Sequence, residues 1–125
     1  MTMHPHDIPT KLNLNASSFS AESGRDIQFL GNGGLVLRAT QFGDPQSPQV
    51  LLLHGGGQTR HAWAHTATAL ARAGYCATCI DARGHGQSQW CPEGNYSASA
   101  LVTDLRAIIE SLPSSPYIVG ASMGG

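Results

Sequence analysis

Charged side chains are scarce in this sequence. Only 12% of its 125 residues are Asp, Glu, Lys or Arg, about half of the ~25% found in an average globular domain. Lys and Arg number 7 against 8 Asp and Glu, so the formal net charge is −1. Nucleic-acid binding requires a basic face that replaces phosphate counterions. So few dispersed cations do not build such a face, and we predict no nucleic-acid partner.

Long hydrophobic runs are absent as well. The longest is Val50–Leu53, whereas a membrane-spanning helix needs about 20 apolar residues. Residues 1–20 contain no apolar segment of the kind found in secretory signals. Cysteine is also rare, and its count of 3 is odd, which disfavours a disulfide framework. The sequence therefore predicts a cytoplasmic protein with no membrane partner.

Two of the cysteines, Cys76 and Cys79, have the C-x-x-C spacing of a redox motif. They fall in the short apolar stretch 75–81, which is typical of a buried strand. Side chains three residues apart on a strand point to opposite faces of the sheet. Because the two thiols could not meet, we predict small buried hydrophobic residues here rather than a redox pair.

Strand and helix patterns alternate along most of the chain. Residues 1–20 are polar and non-periodic, which predicts a flexible tail ahead of one domain over 21–125. Two strands over 25–30 and 35–42, joined by a glycine-rich turn, predict an antiparallel hairpin. Buried strands at 50–53, 75–80 and 117–119 are separated by amphipathic helices around 63–71 and 101–112. This order predicts an α/β fold: a mostly parallel sheet with an initial antiparallel hairpin and helices on both faces.

A G-x-S-x-G pattern, Gly120–Gly124, directly follows the last predicted strand. The pattern is typical of a sharp strand-to-helix turn, in which Gly120 and Gly124 let the neighbouring backbone pass close to the serine. Such a turn lifts the Ser122 Oγ clear of the sheet, beside a helix N-terminus that favours negative charge. An ordinary strand-to-helix turn is the alternative. The sequence makes Ser122 a candidate nucleophile.

A second glycine-rich segment, 54–57, follows an earlier predicted strand. Glycines leave backbone N–H groups accessible to a developing oxyanion. An oxyanion hole needs two such donors, and we predict Gly56 and Met123, the residue after the serine. Phosphate binding is the competing interpretation, which is disfavoured because neither G-x-x-x-x-G-K-[ST] nor a helix-opening G-x-G-x-x-G occurs.

Three segments, 51–63, 81–88 and 119–125, together resemble the α/β-hydrolase fold superfamily, in particular its bacterial esterase-like and epoxide-hydrolase-like members. The resemblance covers the chain from about Arg25 onward. It implies that Ser122 is the nucleophile and that the fold is the N-terminal part of a hydrolase domain. It implies that the backbone N–H groups of Gly56 and Met123 form the oxyanion hole. The residues that it implies support the loops are His54, Gly55, Gly57, Asp81, Arg83 and Gly84.

The serine also narrows the reaction class that the resemblance implies. Epoxide hydrolases of this superfamily have aspartate at the position of Ser122, so a serine favours acyl transfer on a small-molecule substrate with an ester-like carbonyl. The resemblance implies no cofactor, and the sequence shows no metal-ligand cluster.

The sequence departs from the family pattern after the nucleophile. The fold supplies an acid and then a histidine beyond the serine, but only Met123–Gly125 follow Ser122. We expect His61 and His65 to lie on a solvated helix face. We also expect three acidic residues to be surface charges or helix caps: Glu93, Asp104 and Glu110.

These observations predict the N-terminal portion of a serine hydrolase, truncated at the nucleophile elbow. We expect the 125-residue chain alone to be inactive and prone to aggregation, because the last strand would expose an apolar edge. Two alternatives stay open: half of a split hydrolase that needs a complementing C-terminal half, and a non-catalytic α/β interaction module.

Overall fold

Five strands form one mixed sheet in a computed structural model that describes residues 23–55 and 58–120. The elements are, in chain order, β1 (Arg25–Leu30), β2 (Val36–Phe42), β3 (Gln49–Leu53), α1 (Ala64–Arg72), β4 (Cys76–Ile80), α2 (Ala98–Ser111) and β5 (Tyr117–Gly120). Short 3₁₀ turns, Asn32–Gly34 and Arg60–Trp63, precede β2 and α1. The tail predicted over 1–20 lies outside the described residues. No helix in the described part of the chain is long and apolar enough to cross a membrane.

The strands are arranged in the order β1-β2-β4-β3-β5. β1 and β2 form the predicted antiparallel hairpin, and β2 pairs antiparallel with β4. β3 lies between β4 and β5 and runs parallel to both. The predicted α/β class, with an initial hairpin leading into parallel strands, is confirmed. At the hairpin turn, Gly33 (φ +75°) and Gly34 (φ +79°) adopt the left-handed conformation that glycine tolerates best.

Both faces of the sheet are covered, which explains why β3 is a continuous apolar run. Leu51 packs on one face in a cluster with Leu37 and with Ile108 of α2. Leu52 points to the opposite face and packs in a cluster that contains Ala67 of α1. Alternate residues of a strand buried on two faces need no polar positions between them. The prediction of helices on both faces is therefore confirmed.

Cys76 and Cys79 point to opposite faces of β4 and are free thiols, both fully buried. Burial raises the pKa of Cys79 to about 12, and burial likewise raises the pKa of Cys76. A thiol with a raised pKa stays protonated and unreactive at neutral pH. The geometry agrees with the prediction of small buried residues rather than a redox pair.

Thiol titration should separate these cysteines from Cys91, which is only half-buried. At pH 8 the native chain should show one fast-reacting thiol with a disulfide reagent, because Cys76 and Cys79 are fully buried and burial raises the pKa of both thiols. All 3 cysteines should react in denaturant. Cys91→Ser is the control and should remove the fast phase. Rapid reaction of two native thiols, or a disulfide between Cys76 and Cys79, would contradict the expectation.

Asp104 corrects a prediction, because it is not a surface charge. It lies on the inner side of α2 with 4% of its surface exposed. Arg83 donates to both of its carboxylate oxygens, from Nε to Oδ2 at 2.6 Å and from Nη2 to Oδ1 at 2.7 Å. The backbone N–H of Asn32 also donates to Oδ1, at 2.8 Å. Asp104 thus joins α2 to the hairpin turn and to the loop after β4, and the carboxylate raises the pKa of the Arg83 guanidinium.

β5 is an edge strand within the described sheet, and its side chains are exposed. Tyr117 is 67% exposed, Ile118 47% and Val119 40%. Exposed apolar edges are surfaces on which other chains can pair. Aggregation of the isolated chain stays a prediction, and this edge is where we expect it to begin.

Candidate active site

The carboxyl ends of the three parallel strands meet at one level of the sheet. Leu53, the last residue of β3, is in register with Ile80 at the end of β4 and with Gly120 at the end of β5. The loops that begin at His54 and Asp81 therefore start side by side, next to the strand that leads into the G-x-S-x-G pattern. Ligands bind at this edge in open α/β sheets.

Several predicted site residues lie outside the described residues. They are Gly56, Gly57, Ser122, Met123 and Gly124. Of the predicted elbow, the structure describes Gly120, which ends β5 and is half-buried. Of the predicted glycine loop it describes His54 and Gly55, both buried.

His54 connects the loop after β3 to the loop after β4. Its Nε2 accepts a hydrogen bond from the backbone N–H of Ala82 at 3.0 Å. Because Nε2 is an acceptor, the proton is on Nδ1, which lies 2.8 Å from the carbonyl oxygen of Gly55 and donates to it. Both ring nitrogens are thus occupied by backbone groups, which leaves none for proton transfer to a substrate.

Gly55 uses both of its backbone polar groups within the loop. Its N–H donates to the Gln58 Oε1 at 3.3 Å, and its carbonyl also accepts from the Gln58 N–H at 3.1 Å. An N–H group that is already paired is a poor donor to an oxyanion, since it would have to break that bond first. The Gly55 N–H is thus occupied within the loop, while the predicted donor Gly56 lies outside the described residues and its role stays a prediction.

The other described histidines are His85, beside His54, and the two histidines near the start of α1. His85 is half-buried, with its Nδ1 3.0 Å from the Arg83 carbonyl and its ring centroid 5.1 Å from that of His54. Both predicted solvent-facing histidines are exposed: His65 lies on α1, as predicted, whereas His61 lies in the 3₁₀ turn that precedes the helix. Glu93 and Glu110 are exposed too.

Arg60 is a residue that sequence reasoning missed. Its side chain is 1% exposed and pairs with Asp81, 21 residues later in the chain. No local sequence pattern predicts this ion pair, because its two residues lie in different loops, one after β3 and the other after β4. The only indication in the sequence is that Arg60 is a cation in a segment whose other residues are glycine, polar or apolar.

A cavity of about 290 Å³ adjoins the site between the sheet and α2. Its walls are mostly aliphatic, from residues such as Leu53, Ile80 and Ile108, and its polar lining comes from His54, Arg83 and Asp104. All three polar side chains are already hydrogen-bonded to protein groups. Within residues 23–55 and 58–120, no cluster of three or more His, Cys, Asp or Glu side chains could hold a metal ion.

Comparison with known proteins places these features in a family. Residues 48–125 match the family model described as alpha/beta hydrolase fold. This chain belongs to the α/β hydrolase fold family. The matched span of this hydrolase-family chain contains the loops after β3 and β4 and the G-x-S-x-G pattern, which are the segments that carry the resemblance in the sequence.

Relatives of this hydrolase-family chain include esterases and epoxide hydrolases. It is 39% identical over 80 residues to Esterase Rv0045c of Mycobacterium tuberculosis, covering 63% of this chain and 26% of the relative. It is 30% identical over 109 residues to Protein phosphatase methylesterase 1 of Mus musculus, covering 83% and 28%. Among solved structures, epoxide hydrolase VrEH1 from Vigna radiata superposes with a TM-score of 0.76 at 30% identity, covering 84% and 34%. The chain thus spans about a quarter to a third of the length of these relatives.

Proposed function

We propose that this chain carries the nucleophile and the oxyanion-binding segment of a serine hydrolase that cleaves ester-like carbonyl substrates through an acyl-enzyme. The observation that carries the proposal is the register of the strand ends. β5 leads into the G-x-S-x-G pattern and ends at Gly120, which is in register with Leu53 at the end of β3. The glycine loop begins at the residue after Leu53. A nucleophile and its oxyanion donors must lie within a few ångströms of one carbonyl.

The proposed reaction assigns one task to each predicted residue. The Ser122 Oγ attacks the carbonyl carbon, and the backbone N–H groups of Gly56 and Met123 donate to the oxyanion of the tetrahedral intermediate. Collapse of the intermediate expels the alcohol and leaves the acyl group on Ser122. Water then attacks the acyl-enzyme and releases the acid, with no cofactor.

The nucleophile favours an ester over an epoxide. A serine ester formed on acyl transfer is hydrolysed at its carbonyl carbon, whereas opening an epoxide with a hydroxyl would leave an ether that water does not cleave. Similarity to an esterase and to a methylesterase favours the same class. A small-molecule acyl substrate is therefore proposed.

The general base and its orienting acid are proposed to come from residues outside Met1–Gly125. Both ring nitrogens of His54 are occupied by backbone groups, and His61 and His65 are exposed to solvent. The general base and the acid would belong to the same polypeptide or to a complementing C-terminal half.

The free thiols of the described cysteines favour a reducing compartment such as the cytoplasm.

Covalent labelling tests this function. The complete polypeptide encoded by the gene should react with a fluorophosphonate probe, and peptide mapping should place the adduct on Ser122. With an activated ester it should show a burst of alcohol release, because the acyl-enzyme accumulates. Labelling only after addition of a second chain would indicate the split hydrolase. A folded protein that forms no adduct, or forms one elsewhere, would contradict the proposal and favour the interaction module.

A further inference from the structure

Asn32 lies in the turn between β1 and β2 and is followed directly by a glycine, Gly33. Both residues are exposed. Gly33 has a φ of +75°, and a Cβ at this position would meet nothing within 4 Å. No side chain of its own therefore separates the backbone nitrogen of Gly33 from the side-chain amide of Asn32.

The turn around Asn32 is closed by two hydrogen bonds and attached to α2 by a third. The Gly31 N–H donates to the Leu35 carbonyl at 2.7 Å, and the Gly34 N–H donates to the Gly31 carbonyl at 3.0 Å. The Asn32 N–H donates to the Asp104 Oδ1 at 2.8 Å. A Cβ at Gly31 would lie only 2.6 Å from this Oδ1. An added backbone atom would therefore disturb at least one of these bonds.

We infer that Asn32 is a site of spontaneous deamidation. The backbone nitrogen of Gly33 attacks the Asn32 Cγ, the new C–N bond closes a succinimide ring, and the side-chain nitrogen leaves as ammonia after taking up a proton through water. A second water opens the ring at either carbonyl and gives aspartate or isoaspartate. In isoaspartate the backbone runs through the side chain and is longer by one methylene. Asparagine and water thus yield the acid and ammonia, without oxidant or reductant.

The following glycine distinguishes Asn32 from the other asparagines of the sequence. Ring closure requires the backbone to rotate until the next nitrogen reaches the Cγ, and glycine rotates more freely than any other residue. The other asparagines precede Leu14, Ala16 and Tyr96, which all carry a side chain. Asn95, the one before Tyr96, is exposed like Asn32 and serves as an internal control. The reaction uses no catalytic group, so the inference is independent of the proposed function.

Incubation of the complete polypeptide at pH 8 tests the chemistry. Peptide mapping by mass spectrometry should show conversion several-fold faster at Asn32 than at Asn95, with both aspartate and isoaspartate as products. Asn32→Gln, whose longer side chain would have to close a larger ring, should remove the fast conversion. Equal rates at Asn32 and Asn95 would overturn the inference. Aspartate as the sole product would do the same, because direct hydrolysis of the side-chain amide gives no isoaspartate.

Amide hydrogen exchange then tests the structural consequence. In the isoaspartate species, separated by its added charge, the peptide that covers residues 98–111 of α2 should exchange about tenfold faster, the effect of losing one hydrogen bond to a charged group. Gln28→Glu makes the same change of amide to carboxylate at an exposed position of β1 and should leave this peptide unchanged. Unchanged exchange in the isoaspartate species would overturn the claim that modification loosens α2. An equal increase in Gln28→Glu would overturn it too, since the charge alone would then be the cause.

Discussion

Replacing Ser122 with alanine should abolish both the fluorophosphonate adduct and the burst, and should lower ester turnover by about 10⁴-fold or more. The methyl group of alanine has no Oγ to attack the carbonyl, so no acyl-enzyme forms. What remains is the contribution of the oxyanion donors and of substrate binding, since these act without the nucleophile. The measurement is kcat on an activated ester for the complete polypeptide.

Ser99→Ala provides the matched control for this experiment. Ser99 is an exposed serine in the first turn of α2, outside every segment assigned to the site, so its loss should leave kcat within about twofold of the wild-type value. Activity that survives in Ser122→Ala would show that another residue is the nucleophile and would contradict the assignment.

Replacing Asp104 with alanine should destabilise the fold by about 3–5 kcal/mol, the usual cost of removing one partner of a buried ion pair. The substitution would leave the Arg83 guanidinium buried without its carboxylate, and it would also remove the acceptor of the Asn32 N–H. Total stabilities of domains are only about 5–15 kcal/mol, so the variant should lose a large fraction of its free energy of unfolding. Urea unfolding followed by circular dichroism measures the change.

Glu110→Ala, an exposed carboxylate on the same helix, is the control for Asp104→Ala. It should shift the free energy of unfolding by less than about 0.5 kcal/mol. A loss below about 1 kcal/mol in Asp104→Ala would mean that Arg83 finds other partners, such as the Asn95 carbonyl that already accepts from its Nη1.

The elements of this fold were predictable because each depends on a local pattern. The run Val50–Leu53 and the apolar spacing in 101–112 report burial within one element. Even there, local spacing misplaced Asp104, which was expected on the surface and is buried. The helix faces the hairpin turn and Arg83, and this orientation is set by tertiary contacts that periodicity does not contain.

The candidate site, too, was predictable only where it depends on local pattern and strand order. Its position at the strand ends followed from the order of strands and loops, because parallel strands share one carboxyl edge. Arg60 could not be found in this way. Its carboxylate partner is 21 residues away, and which loops meet depends on the register of β3 against β4. A nucleophile carried by one short motif can be recognised in a sequence. An ion pair that joins two loops can be recognised only once the fold is known.

The strand order also has a consequence for how the chain folds during synthesis. β2 and β3 follow each other in the chain, but β4 lies between them in the sheet. The hairpin of β1 and β2 can close early, in about 1–10 μs, yet it joins the parallel strands only when Ala39 pairs with Ile80. Until Ile80 has left the ribosome, β2 presents an unpaired edge and β3 lacks its neighbour. Slow translation between Phe42 and Cys76 would prolong that exposure, so the yield of folded protein should depend on codon speed in this interval.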